Sequence, residues 1–176
     1  MKRKIVFITG GARSGKSSFA LNETAKVEGR KAYIATAQAL DDEMKERIEK
    51  HRKERDADWD TFEEPFKVSE IISDLRVKYS VVLLDCLTLW LSNVISGDMD
   101  CSGKIYDLMA VLENLKFDTS NSKLFIVSNE VGMGIVPENE LARRFRDTAG
   151  FLNQKVAEIA DEVYLVTVGI PIKIKG

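Results

Sequence analysis

The chain has 176 residues, a length that fits one compact domain able to bury a sizeable core without disulfides or a metal. With 44% apolar and 31% charged residues, and only 3 prolines, it does not read as disordered, collagen-like or low in complexity. The net charge of −2, from 26 basic and 28 acidic residues, argues against a general nucleic-acid-binding surface. Two cysteines, Cys86 and Cys101, are too few for a disulfide framework or a four-ligand zinc site. The expectation is a reduced, cytoplasmic protein. No stretch reaches the roughly 18 consecutive apolar residues of a membrane span, and the apolar run after Lys4 stops at Thr9-Gly10, too short for a signal sequence.

In chain order, Ile5 to Ile8 predicts a strand buried on both faces. A glycine-rich loop, Gly10 to Ser17, follows it, and a helix is predicted from Ser18 to Glu28, closed by Gly29. Ala32 to Ala35 is a second strand. Asp41 to Asp56 is a charged helix with Asp41 or Asp42 as its N-cap. Val68 to Val77 is helical, and Tyr79 to Leu84 is a third strand. Tyr106 to Lys116 is helical, with a polar loop over Asp118 to Ser122. Leu124 to Val127 is a fourth strand. A long helix runs from Glu138 to Ile159, with a break at Gly150. Val163 to Val168 is a final strand, followed by a short one over Ile172 to Lys175. Strands alternating with helices, and apolar on both faces, predict an α/β fold: one domain over residues 1–176 with a mostly parallel central sheet.

The loop Gly10-Gly11-Ala12-Arg13-Ser14-Gly15-Lys16-Ser17 matches G-x-x-x-x-G-K-[ST] at every fixed position, between a strand and a helix. Glycines let successive backbone N–H groups converge on an anion, and the helix N-terminus adds its dipole. Lys16 is positioned to meet the β- and γ-phosphates, and the Ser17 hydroxyl to ligate Mg²⁺. Ser14 also reads as an ordinary loop hydroxyl. Asp85 ends the apolar run Val81 to Leu84, as the companion carboxylate of such a loop does. An aspartate there also serves as a helix cap. Cys86 reads as a small buried core residue.

The one histidine, His51, shares a helix face with Met44, Ile48 and Arg55, at spacings of 4, 3 and 4. That face carries the helix's apolar residues and so points to the protein body. A neutral imidazole is a competent nucleophile, its unperturbed pKa being about 6.5, and Arg55 could offset phosphate charge. Spacing alone leaves open both a structural histidine and a base or nucleophile. Trp59 and Trp90 read as packing residues. Asn129 and Glu130, after the fourth strand, are polar candidates at the sheet edge where ligands bind in open α/β folds. The loop through Met133, Ile135 and Val136 offers apolar contact to a ligand or a neighbouring subunit, or packs on its own core.

Two runs are more specific than the phosphate loop: Asp41-Asp42-Glu43-Met44 through Arg47-Ile48 to His51, and Asn129 through Asn139; pieces of the tail between Leu141 and Val163 match as well. With Tyr33 to Ala37 and Trp59, they resemble the bifunctional adenosylcobinamide kinase / adenosylcobinamide-phosphate guanylyltransferase family (CobU/CobP) over nearly the whole chain. The resemblance implies a three-layer, RecA-like P-loop fold. It implies phosphorylation of adenosylcobinamide by ATP or GTP, then transfer of GMP from GTP through a guanylylated histidine, which maps to His51. It places nucleotide contacts at Gly10 to Ser17, Ala35, Thr36, Ala37, Arg52, Lys53, Glu54, Arg55, Glu63 and Asp85, with Glu64 adjacent to Glu63 as the other alignment. Mg²⁺ held by Ser17 and Asp85 and a homotrimer are further implications; the sequence itself shows no heptad seam. The other enzyme reading is a P-loop kinase for a different small molecule, without guanylyl transfer. A third is a nucleotide-gated assembly module.

Overall fold

The computed structural model describes residues 4–39, 41–53, 58–115 and 122–176. Within 41–53 the side chains of Glu43, Arg47, Lys50, His51, Arg52 and Lys53 lie outside the description. The elements run β1 (Lys4–Gly10), α1 (Lys16–Ala25), β2 (Lys31–Ala35), α2 (Asp42–Lys53), β3 (Trp59–Glu63), α3 (Val68–Leu75) and β4 (Val81–Asp85). They continue as α4 (Leu87–Ser96), α5 (Cys101–Leu115), β5 (Lys123–Asn129), α6 (Glu140–Ile159), β6 (Glu162–Thr167) and β7 (Ile170–Lys175).

The strands form one sheet in the order β3-β2-β4-β5-β1-β6-β7. Every neighbouring pair is parallel except β6–β7. Because side chains alternate across a strand, an unbroken apolar run serves two cores. In β1, Ile5 and Phe7 join the cluster under α3, α4, α5 and α6, while Val6 and Ile8 face the cluster that holds Ala20 of α1. The result is three layers, as expected of this alternation. No helix among the described residues is long and apolar enough to cross a membrane.

Two elements escape the sequence reading. Helix α4 buries Leu87, Trp90, Leu91 and Val94 at helical spacing, with Thr88 beside them, but Leu89 and Ile95 on its other side blur the contrast between the faces. It merges in sequence with the apolar strand before it. Strand β3 is five residues long on the sheet edge and carries Asp60 and Glu63, which masks its period-2 signal. Three predicted features differ in detail. Helix α1 starts at Lys16 and stops at Ala25, with Lys26 rather than Gly29 at its C-cap. Gly29 instead sits at φ 103° in the turn before β2, where a Cβ would collide with Ser80. Helix α6 runs through Gly150 unbroken. The expected loop over 118–122 lies almost wholly outside the described residues.

Caps and buried partners fix these boundaries. Asp41 accepts from the Met44 N–H at 2.7 Å and starts α2. Asn139 accepts from the Ala142 N–H at 3.0 Å and starts α6. Trp90, fully buried, donates its indole N–H to the Phe66 carbonyl at 2.9 Å. It thereby locks α4 to the segment between β3 and α3. At the other sheet edge, Glu162 bridges Lys4 and Lys173. Burial alone would raise its pKa, but the hydrogen bonds from those two ammonium groups outweigh it and hold the carboxyl below its ordinary value. We expect Trp90→Ala to remove about 3–5 kcal/mol of unfolding free energy, read as a lower urea midpoint. A loss below roughly 1 kcal/mol would show that the site collapses around the missing ring.

Candidate active site

Four strand ends meet on one edge of the sheet. Register pairs Gly10 of β1 with Asn129 of β5, and Asp85 of β4 with both Ala35 of β2 and Val127 of β5. The C-terminal ends of parallel strands therefore bring the phosphate loop, the aspartate and the loops after β2 and β5 to one cleft.

The loop has the shape that anion binding requires. A Cβ at Gly10 would strike the Val166 carbonyl and approach Ser14 Oγ at 2.8 Å. Gly15 lies at φ 93° as the N-cap of α1, with Gly169 of the β6–β7 turn packed against it. The Gly169 N–H donates to the Ser14 carbonyl at 2.9 Å, so the turn braces the loop from behind. Gly11, Ala12 and Arg13 are exposed, with Arg13 at φ 55°. Lys16 is buried, and its ammonium donates to the Gly11 carbonyl at 2.8 Å, within the curl of the loop. The buried Ser14 hydroxyl has no hydrogen-bond partner among the described residues.

The cleft is lined by Lys16 and Ser17 from α1, Tyr33 and Ala35 from β2, and Ala37 beyond it. Met44 and Ile48 of α2, Thr61 and Glu63 of β3, Asp85, Cys86 and Leu89 around the start of α4, and Asn129 complete the wall. Of the expected residues, Lys16, Ser17, Ala35, Ala37, Glu63 and Asp85 thus come together. Thr36 does not line it. It is fully buried, and its hydroxyl donates to the Cys86 carbonyl at 2.7 Å while accepting the Cys86 N–H at 2.9 Å. Asn93 of α4 donates to the Thr36 and Pro65 carbonyls, clamping the loops after β2 and β3. Thr36 is a strut under the site. Between the two neighbouring glutamates, Glu63 faces the cleft; Glu64 accepts the Phe66 and Lys67 N–H groups and shapes the turn before α3.

Asp85 accepts a hydrogen bond from the Tyr33 hydroxyl at 2.9 Å. The Ser17 hydroxyl and the Asp85 carboxylate are hard oxygen donors in one cleft. Among the described residues there is no cluster of three or more His, Cys, Asp and Glu that would form an all-protein metal cage. Such a sparse oxygen set suits a cation that keeps waters and phosphate oxygens as its other ligands. Cys86 is buried, and burial first, then the Asp85 charge, push its thiol up to about 11. It is a wall residue and not a nucleophile. Trp59 meets Tyr33 edge-on, with ring centroids 6.0 Å apart, and is not among the residues that line the cleft.

Residues 41–53 place α2 beside this cleft. His51, Arg52 and Lys53 lie in its last turn with their side chains outside the description, and Glu54 and Arg55 fall outside the described residues. Glu130, a polar candidate by sequence, uses its carboxylate to accept the Gly132 and Met133 N–H groups. The loop beyond it presents most of its apolar side chains to solvent: Met133 and Val136 are exposed and Ile135 is 96% exposed, while Val131 at its start packs against the core. Tyr33 and Asn129, which lie in the runs that carry the family resemblance, also line the cleft, with Tyr33 given no site role by sequence; Thr61 and Leu89 are lining residues that no motif marks, and they belong to the two elements that the sequence reading misses.

Thr36→Val keeps the shape of the strut but orphans the buried Cys86 N–H and C=O, each at a cost of about 1–3 kcal/mol. Chemical denaturation should show that loss, and Thr36→Ser should restore most of it. Equal stability of the two variants would remove the strut from the account. The raised Cys86 thiol stays protonated until the pH approaches 11, so iodoacetamide at neutral pH should leave it unmodified in the folded protein. Peptide mapping that finds rapid alkylation there would contradict its burial.

Comparison with known proteins agrees with this layout. The RadB recombinase crystal structure superposes with a TM-score of 0.55 at 14% identity, covering 92% of this chain and 73% of that one, a likeness of fold that bears out the RecA-like expectation. The chain is 42% identical over 184 residues to the bifunctional adenosylcobalamin biosynthesis protein CobU of Escherichia coli strain K12, covering 97% of this chain and 99% of that protein. It is 41% identical over 171 residues to the bifunctional adenosylcobalamin biosynthesis protein CobP of Pseudomonas aeruginosa, covering 96% of each. Residues 6–174 match the family described as cobinamide kinase / cobinamide phosphate guanyltransferase. The chain therefore belongs to the cobinamide kinase / cobinamide phosphate guanyltransferase family.

Proposed function

We propose that the chain phosphorylates the aminopropanol hydroxyl of adenosylcobinamide with a nucleoside triphosphate. It then transfers GMP from GTP to that phosphate, giving adenosylcobinamide-GDP, through a guanylylated His51. Family membership supports the two activities. One observation carries the covalent step: Met44 and Ile48 of α2 line the same cleft as Lys16, Ser17 and Asp85. His51 is three residues beyond Ile48 and seven beyond Met44 on a helix that continues to Lys53. Seven residues are nearly two full turns, a helical spacing that supports the reading of His51 with the face of Met44, about 10 Å along the axis.

In the kinase step the acceptor oxygen bonds to the γ-phosphorus as the bridging bond to the β-phosphate breaks. The chain's contribution is positioning and charge: backbone N–H groups of Gly10 to Ser17 and the Lys16 ammonium hold the phosphates. Ser17 and Asp85 would hold Mg²⁺, which supplies charge neutralisation when bound. Asp85 is kept in place by Tyr33. Glu63, Ala35 and Ala37 line the same cleft, and the nucleoside is proposed to lie against them.

In the transfer step the neutral His51 nitrogen attacks the α-phosphorus, a P–N bond forms, and pyrophosphate leaves with the electron pair. A phosphate oxygen of adenosylcobinamide phosphate then attacks the same phosphorus, the P–N bond breaks, and the imidazole is regenerated. Arg52, Lys53, Glu54 and Arg55 follow the histidine, where the two basic types offset the charge of the departing group. The exposed apolar side chains of Met133, Ile135 and Val136, directly beyond Asn129, suit contact with the bulky corrinoid acceptor.

Two measurements test this reading. Incubation with GTP labelled at the α-phosphorus should leave acid-labile label on the protein, and His51→Asn should abolish it while phosphorylation of adenosylcobinamide survives. Wild-type protein that never acquires label would end the covalent step and leave a simple kinase. Asp85→Asn should lower both activities by about a hundredfold or more, since it weakens the charge balance that both phosphoryl and nucleotidyl transfer need. Full activity in that variant would remove Asp85 from the site.

A further inference from the structure

Strand β5 lies between the strand that carries the phosphate loop and the strand that ends in Asp85. Its last residue, Asn129, is level with Gly10 and lines the cleft with Lys16, Ser17 and Asp85. Both backbone groups of Asn129 are held by a closed ring of hydrogen bonds. Its N–H donates to Thr88 Oγ1 at 2.6 Å. Thr88 Oγ1 meets Ser128 Oγ at 3.2 Å, and Ser128 Oγ donates to Asn153 Oδ1 at 2.7 Å. Asn153 Nδ2 closes the ring by donating to the Asn129 carbonyl at 3.2 Å. Thr88 and Ser128 are buried, so water does not compete for these bonds.

The ring fixes the backbone yet leaves the carboxamide to the cleft. Among the described residues its Nδ2 meets the Cys86 sulfur at 3.9 Å, and sulfur is a weak acceptor. A rigidly mounted N–H donor thus stands beside the phosphate loop and the aspartate, with no strong acceptor hydrogen-bonded to it among the described residues. Such an arrangement suits an anionic oxygen supplied by the ligand. We propose that Asn129 donates to a terminal-phosphate oxygen of the bound nucleoside triphosphate, and that Asn153 is its positioning residue. This rests on the proposed function only for the identity of the phosphoryl acceptor. In that step the acceptor–phosphorus bond forms, the β,γ bridging bond breaks, the nucleoside diphosphate leaves with the electron pair, and the acceptor's proton passes to solvent. Asn129 neither gains nor loses a proton.

The test is the preference for triphosphate over diphosphate, measured by titration calorimetry with GDP and with the β,γ-imido analogue of GTP. In Asn129→Ala, GDP affinity should stay within about threefold of wild type while the preference for the triphosphate falls about tenfold or more, the worth of a hydrogen bond to a charged group. Asn129→Asp, nearly isosteric and bearing a charge against the phosphate, should lose still more; it also reads the contact if the alanine variant fails to fold. Asn153→Ala should give a smaller fall, and the Asn129→Ala/Asn153→Ala pair should match Asn129→Ala alone, because Asn153 acts through Asn129. A purely structural role would weaken both nucleotides alike. An unchanged preference in folded Asn129 variants overturns the contact. No corrinoid enters the titration: a wild-type protein that leaves adenosylcobinamide unmodified while its variants lose the preference would sink the substrate reading and support this contact.

Discussion

Parallel, in-register pairing of four neighbouring strands is the constraint on which the molecule depends. Strands β2, β4, β5 and β1 point the same way, and their last residues are Ala35, Asp85, Asn129 and Gly10. Each of these sits on the cleft or opens the phosphate loop. A parallel strand pair needs a crossover, so every strand end is followed by a loop or helix start at the same edge. The chemistry is therefore assembled by backbone hydrogen bonding between apolar strands. Side-chain contacts such as Tyr33 to Asp85 then refine positions that the backbone has already brought together.

Behind that edge the supports are polar and buried, and they converge on α4. Cys86 caps its start and is bound to Thr36; Thr88 binds the Asn129 N–H; Trp90 binds the Phe66 carbonyl; Asn93 clamps the Thr36 and Pro65 carbonyls. Each buried polar group would be costly if unpaired, and each is paired with the backbone of a loop that borders the cleft. Helix α4 thus converts burial into loop geometry. The wall it supports is rigid because changing one loop would orphan a group inside the core.

The front of the cleft is built differently. Helix α2 contributes Met44 and Ile48 to the lining, and the loop after Asn129 carries its apolar residues into solvent. A fixed phosphate cradle with exposed apolar residues beside it is a fitting design for an enzyme that meets two nucleotide reactions and one large acceptor. In the proposed mechanism the cradle would serve both reactions, and α2 and the acceptor would decide which phosphorus is attacked.

The amino-acid sequence determined the layer order and the phosphate site, because both rest on local patterns. Gly10 to Ser17 between a strand and a helix is a local motif, and doubly apolar strands alternating with helices admit few arrangements. The spacing of Met44, Ile48 and His51 is likewise legible along the chain. Tertiary structure decided what depends on long-range pairing. It separated Glu63, which faces the cleft, from Glu64, which bonds to the turn. It turned Thr36 from a ligand contact into a strut for a peptide 50 residues away. It revealed α4, whose polar residues look unremarkable until the loops they bind are in view. It raised Asn129 above Glu130, because the first is mounted by residues 41 and 24 positions distant while the second closes its own turn. Side-chain type and short spacing are legible along a chain, but which hydrogen bond a polar residue finds is settled only when distant segments pack and exclude water.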